Sequence, residues 1–215
     1  MQPVDAQKLL STLDGPKVAT VQDTVIESAR NAESQGKFSE AAQFYQQALE
    51  KQPYSKELMV ALGDNFRRSG ENDRAISVYD TALVQNANFI TAKEGKGLAL
   101  MAKGDFDMPG VLFGEVIKVD ATRWKSLNGL GILFSTRSMQ KEAQVYYQEA
   151  LKYSPNNPSV LNNLGLSQAM DRNFDASYAS LTQASTLAAT GSQDRKRIEL
   201  NLSLVYAIAG KLSLI

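Results

Sequence analysis

The stretch from Trp124 to Asn157 reads WKSLNGLGILFSTRSMQKEAQVYYQEALKYSPNN. Large apolar residues and one glycine recur at helical spacing in its first half, namely Trp124, Leu127, Leu130, Gly131 and Phe134. Small and aromatic residues do the same in its second half, namely Ala143, Tyr147, Ala150 and Leu151, before Pro155 ends the run. Residues three, four and seven positions apart share one face of a helix. The stretch therefore predicts two amphipathic helices joined by a tight turn.

The same pattern recurs along most of the chain at an interval of about 34 residues. Earlier copies place Met59, Leu62, Gly63 and Phe66 at the positions of the first helix, and Ala41, Tyr45 and Ala48 at those of the second. The third copy is the least regular, because Pro109 stands where other copies have a small alanine. Four extra residues near Ala188 to Ser192 shift the frame before a sixth copy begins.

This interval and these positions resemble the tetratricopeptide repeat (TPR) family. The resemblance implies an all-α fold, a right-handed TPR solenoid of antiparallel helix pairs, in which each pair packs on its neighbours. The predicted units are 22–55, 56–89, 90–123, 124–157 and 158–191, with a final helix from about residue 194. Residues 1–21 are predicted to be an N-terminal leader or cap, and residues 22–215 the solenoid. Gly36 and Gly70 are predicted to close the first helices of their units in a left-handed conformation.

The composition argues against most enzymatic chemistry. The chain contains neither cysteine nor histidine, which removes thiol nucleophiles, the commonest general base and the usual nitrogen and sulfur ligands of zinc. Its 23 basic and 23 acidic residues balance, so the net charge gives no indication of nucleic-acid binding. We therefore predict no catalytic residue, no cofactor, no metal and no small-molecule substrate, and a protein or peptide as the partner.

A second stripe on each first helix is predicted to line a concave groove. In the first two units this stripe is charged and mixed, whereas from Glu94 onward it is apolar with asparagines and basic residues beside it. Asparagine side chains offer both a donor and an acceptor to an extended backbone. The candidate partner-binding residues are Lys125, Asn128, Ile132, Asn162, Asn163, Leu166, Arg197 and Asn201. Two alternatives stay open, namely that Asn163 caps locally and that Leu166 is buried by a neighbouring repeat.

Three segments carry a narrower resemblance. Ser126 to Gly131, Ser159 to Ser167 and Arg197 to Gly210 are similar in order and spacing to TadD, the TPR family of Flp or tight-adherence pilus assembly. The resemblance implies a pilotin-like assembly factor at the periplasmic face of the outer membrane, with a secretin or pilus component as partner. That family is usually lipidated, and this chain has no lipobox cysteine, so a membrane link is expected only through a missing lipid anchor. The alternative is a cytoplasmic TPR adaptor or co-chaperone.

Overall fold

The computed structural model describes residues 21–212, and those residues form eleven α-helices and no strand. The helices are α1 (Val21–Ser34), α2 (Phe38–Lys51), α3 (Lys56–Arg68), α4 (Asn72–Gln85), α5 (Ile90–Ala102), α6 (Met108–Val119), α7 (Trp124–Thr136), α8 (Gln140–Tyr153), α9 (Pro158–Met170), α10 (Phe174–Leu187) and α11 (Gln193–Leu212). The all-α class predicted from the repeats is confirmed. The predicted leader, apart from Val21, lies outside the described residues.

The chain divides into two compact units, one ending at Glu71 and the other beginning at Asn72. The first contains α1, α2 and α3, whose buried residues include Ala29, Ala41 and Tyr45. The Tyr45 hydroxyl donates to Glu33 at 3.3 Å, and burial, followed by the Glu33 carboxylate, raises the pKa of Tyr45. The second unit contains α4 to α11, in which each helix packs on the next in the chain. A single uninterrupted array, with the unit boundaries given above, stays a prediction.

The turns inside the helix pairs share one backbone feature at every thirty-fourth residue. Gly36, Gly70 and Gly104 have φ values of 73°, 86° and 85°, which confirms the left-handed conformation predicted for the first two. The next two equivalents are Ser138 and Arg172, and both have φ of 61°. Glycine adopts this region without steric cost, whereas a side chain at Cβ makes it unfavourable.

Glycine also sets the distance between paired helices. A Cβ added to Gly131 of α7 would lie 2.5 Å from Cε1 of Tyr147 in α8, and one added to Gly97 of α5 would lie 2.6 Å from Cε1 of Phe113 in α6. Both rings are almost completely buried. Gly97 of the irregular third copy is therefore a packing position, and Pro109 occupies the first turn of α6, where its missing N–H has no partner to lose.

Candidate partner-binding surface

Four of the candidate residues form one chain of side-chain amides across α7, α9 and α11. Nδ2 of Asn163 donates to Oδ1 of Asn128 at 3.1 Å. Nδ2 of Asn162 donates to Oδ1 of Asn163 at 3.4 Å. Nδ2 of Asn201 donates to Oδ1 of Asn162 at 2.9 Å. We call these four side chains the asparagine ladder, and it ties together three successive first helices of the repeats.

Burial divides the ladder into a core member and three accessible members. Asn162 is 1% exposed, whereas Asn128, Asn163 and Asn201 are half-buried. Asn162 therefore holds its neighbours and offers no atom to a partner. From the sequence, replacing Asn162 and Asn128 together by alanine is expected to weaken partner binding and to leave the melting temperature nearly unchanged. The burial of Asn162 argues for a loss of stability, because Oδ1 of Asn163 and Nδ2 of Asn201 would each lose a hydrogen-bond partner.

The other four candidates flank the ladder. Lys125 is exposed in the first turn of α7, with its Nζ 5.9 Å from the centre of the Trp124 ring. Arg197 is exposed near the start of α11 and donates to Asp194 at 3.0 Å. Ile132 is half-buried against the core around Tyr147, and Leu166 is half-buried on α9.

Glu94 does not lie on an open groove floor, as the stripe pattern predicts. It is 5% exposed between α5 and α7, where it accepts from Arg123 Nη2 at 2.6 Å and from the Ser126 hydroxyl at 2.9 Å. A cavity of about 210 Å³ beside this cluster is bounded in part by Trp124. Glu94 stands 34 residues before Asn128, so both occupy the same repeat position. The structure places this position between successive first helices, which corrects the prediction.

A second polar cluster, which the repeat pattern does not predict, surrounds Gln140. Gln140, at the start of α8, is largely buried, and its Oε1 accepts from the hydroxyls of Ser135 at 3.1 Å and Ser167 at 2.8 Å. This arrangement closes the end of α7 against α8 and α9 with satisfied polar groups. In the sequence, the only indication of this cluster is the presence of serines within apolar helices.

The corresponding region at the ends of α9 and α11 is open and apolar. A cavity of about 460 Å³ lies there. It is lined by Leu166, Ala169, Met170, Arg172, Phe174, Leu204, Val205 and Ile208. We call it the α9–α11 cavity. Beside it, α11 exposes further apolar side chains, including Leu200 at 69%.

Residues 32–107 match the family model described as tetratricopeptide repeat. The matched residues carry tetratricopeptide repeats, and the chain has the TPR fold. Among the proteins similar to this chain, anaphase-promoting complex subunit 3 of Schizosaccharomyces pombe is 23% identical over 120 residues, which is 56% of this chain and 18% of that protein. A probable UDP-N-acetylglucosamine–peptide N-acetylglucosaminyltransferase SPINDLY of Solanum lycopersicum is 31% identical over 81 residues, which is 38% of this chain and 9% of that protein. The chain thus spans only a small part of the length of either relative.

Solved structures share the TPR fold. A thermophilic TPR protein of Thermus thermophilus superposes with a TM-score of 0.74 at 14% identity, over 85% of this chain and 99% of that chain. The APC/C hetero-tetramer Cut9-Hcn1 gives a TM-score of 0.81 at 20% identity, over 93% of this chain and 39% of that chain. MamA of Desulfovibrio magneticus RS-1 gives 0.62 at 15% identity, over 79% and 97%. These likenesses establish the fold alone.

The chain has the TPR fold, whose stacked repeats form extended surfaces. Within residues 21–212, no group of three acidic side chains is arranged as metal ligands would be. No helix of the described part of the chain has the length and apolar character that crossing a membrane requires.

Proposed function

We propose that this TPR protein is a non-enzymatic scaffold that holds a segment of a partner protein against α7, α9 and α11. The surface consists of the asparagine ladder with Lys125, Ile132, Leu166 and Arg197, and we call it the ladder surface. The observation that carries the proposal is the ladder itself, because it fixes several carboxamides in one orientation.

Unused hydrogen-bonding capacity supports this proposal. A carboxamide has two N–H donors and an oxygen with two lone pairs. Asn163 uses one donor and one lone pair inside the ladder, so one of each remains. Among the described residues, Nδ2 of Asn128 and Oδ1 of Asn201 have no partner at the two ends. An extended peptide backbone, which presents N–H and C=O groups alternately, complements such a row.

Preorganisation strengthens the same interaction. Holding a free side chain in one rotamer costs about 0.5 to 1.5 kcal/mol on binding. The ladder already orders Asn128, Asn163 and Asn201 in the folded protein, so binding a partner does not require this further loss of rotamer freedom. The half-buried Ile132 and Leu166 supply apolar contacts beside the amides, and Lys125 adds a positive charge at the edge.

Site-specific cross-linking of the full-length protein in its own cells tests the proposal. Benzoyl-phenylalanine is placed at Lys125, on the ladder surface, or at Val84, which is 87% exposed on α4. We expect a discrete cross-linked protein from position 125 and none from position 84. Combining the probe at 125 with Asn128→Ala and Asn163→Ala should reduce the yield, whereas Asn88→Ala, at an exposed asparagine outside the ladder, should not. Equal yields from both probes would refute the proposed surface.

The same experiment addresses the finer placement of the protein. The resemblance to TadD supports a pilotin-like role in Flp or Tad pilus assembly at the periplasmic face of the outer membrane, and it rests on sequence alone. Cross-linking to a secretin or another pilus component would support this placement. Cross-linking to cytosolic proteins would favour the second candidate, a cytoplasmic adaptor, for which the similarity to anaphase-promoting complex subunits speaks.

A further inference from the structure

Arg172 has a backbone conformation that is unfavourable for any residue with a side chain. It occupies the turn position that is glycine in the first three repeats, and its φ is 61°. A side chain in this left-handed region costs about 1 to 2 kcal/mol relative to the right-handed one. Residues kept in such conformations cluster at functional sites. Ser138 has the same φ at the equivalent turn, so it provides an internal reference.

Arg172 is an exposed residue beside an apolar cavity, and its guanidinium has no protein partner within residues 21–212. It lines the α9–α11 cavity together with Phe174, Leu204 and Ile208. Asp171 and Asp175 are close in sequence, yet neither forms an ion pair with Arg172 in the part of the chain that the structure describes. A guanidinium with free donors beside apolar side chains favours a ligand that combines a carboxylate with an apolar group.

The equivalent place one repeat earlier is closed. There, Gln140 stands where Phe174 stands in the next repeat, and Ser167 stands where Val205 stands. The serine hydroxyl donates to Gln140 Oε1 at 2.8 Å, which fills the space with a hydrogen bond. Replacing both polar residues by apolar ones removes that closure. A cavity bordered by an arginine also lies at the equivalent turn of the first repeat, but there the Arg68 guanidinium stands 3.9 Å from the centre of the Phe38 ring.

We propose that the α9–α11 cavity binds a segment of a partner protein in which a leucine- or phenylalanine-sized side chain lies next to an aspartate or glutamate. The apolar side chain enters the cavity, and the carboxylate pairs with Arg172. The cavity volume of about 460 Å³ falls in the usual range for ligand pockets, about 300 to 1,000 Å³. This inference rests on the proposed function, because Leu166 belongs to both the ladder surface and the cavity.

A random dodecapeptide library, displayed with fixed sequence on both sides so that no free C-terminus is offered, tests the inference on the full-length protein. We expect selected peptides to share an apolar residue within two positions of an acidic one. Parallel selections use Arg172→Gln and, as the matched control, Ser138→Gln at the equivalent turn. Arg172→Gln should abolish the acidic preference and weaken the best peptide about ten-fold or more, since a charged hydrogen bond is lost. Ser138→Gln should change neither.

The outcomes separate this inference from the proposed function. Selected peptides without an acidic residue, or an acidic preference that persists with Arg172→Gln, would overturn the inference. If peptides that do not depend on Arg172 still lost affinity with Asn128→Ala and Asn163→Ala, the proposed function would be supported and only the inference about the α9–α11 cavity would be wrong. Failure to select any peptide, combined with binding of dodecanoate that depends on Arg172, would overturn the peptide segment as the occupant and replace it with an acyl chain.

Discussion

Replacing Gly131 with alanine tests the close packing of α7 on α8. The added Cβ would lie 2.5 Å from Cε1, 2.6 Å from Cδ1 and 3.0 Å from Cζ of Tyr147. Carbon atoms in contact normally stand about 3.5 to 4.0 Å apart, so the two helices or the ring must move by about 1 Å. Tyr147 is 2% exposed and packs in a cluster with Leu127 and Val160, which leaves the ring little room.

The expected magnitude is the difference between two opposing terms. Overpacking a core by one methyl group costs about 1 to 3 kcal/mol, and three close ring atoms favour the upper part of that range. Alanine regains up to about 1 kcal/mol of helix propensity over glycine. We therefore expect Gly131→Ala to lower the free energy of unfolding by about 1 to 2 kcal/mol.

Gly114→Ala is the matched control, because Gly114 lies inside α6 and a Cβ there would have no neighbour within 4 Å. This change should raise the free energy of unfolding by up to about 1 kcal/mol. Urea unfolding followed by circular dichroism at 222 nm measures both variants against the wild type. A Gly131→Ala protein as stable as Gly114→Ala would refute the packing described for the fourth repeat.

Two further predictions concern stability. Ser138→Gly and Arg172→Gly should each raise the free energy of unfolding by up to about 1 kcal/mol, because relief of the left-handed strain outweighs the added chain entropy; lower urea midpoints for both would contradict this. Burial raises the pKa of Tyr147, so the unfolded chain loses this proton first as pH rises. The free energy of unfolding should stay constant below about pH 10 and fall above it by up to about 1.4 kcal/mol per pH unit. The fall should be smaller for Tyr147→Phe. Midpoints of wild type and Tyr147→Phe that stay parallel from pH 9 to 11 would exclude this.

The helix pairs and their turns could be predicted from the sequence because the repeat pattern is local. Within one unit, Gly131, Tyr147 and Ala150 define two helices and the contact between them. The left-handed turns follow in the same way, since Gly36 and Gly70 recur at a fixed position. The division of the chain at Glu71 could not be predicted from the sequence, because the repeat interval continues across this residue without a break.

The sequence predicts which residues belong to the candidate surface, but not which of them are buried and which are accessible. The stripe pattern assigns Asn162 and Glu94 to an open groove, whereas both are buried between successive first helices. Helical periodicity gives the angle between residues on one helix but not the rotation of that helix against its neighbour. The ladder bonds join residues 35 and 39 positions apart, and the second separation includes the four extra residues before α11. Only the packed helices reveal those partners.

The most direct test of the ladder surface is the nuclear magnetic resonance spectrum of the asparagine side-chain amides in the full-length protein. A peptide recovered by selection or cross-linking is added, and the NH₂ signals are followed. The proposal predicts shifts for Asn128, Asn163 and Asn201, with the exposed Asn88 unchanged. Shifts confined to asparagines outside α7, α9 and α11, such as Asn65 of α3, would contradict binding at the ladder surface.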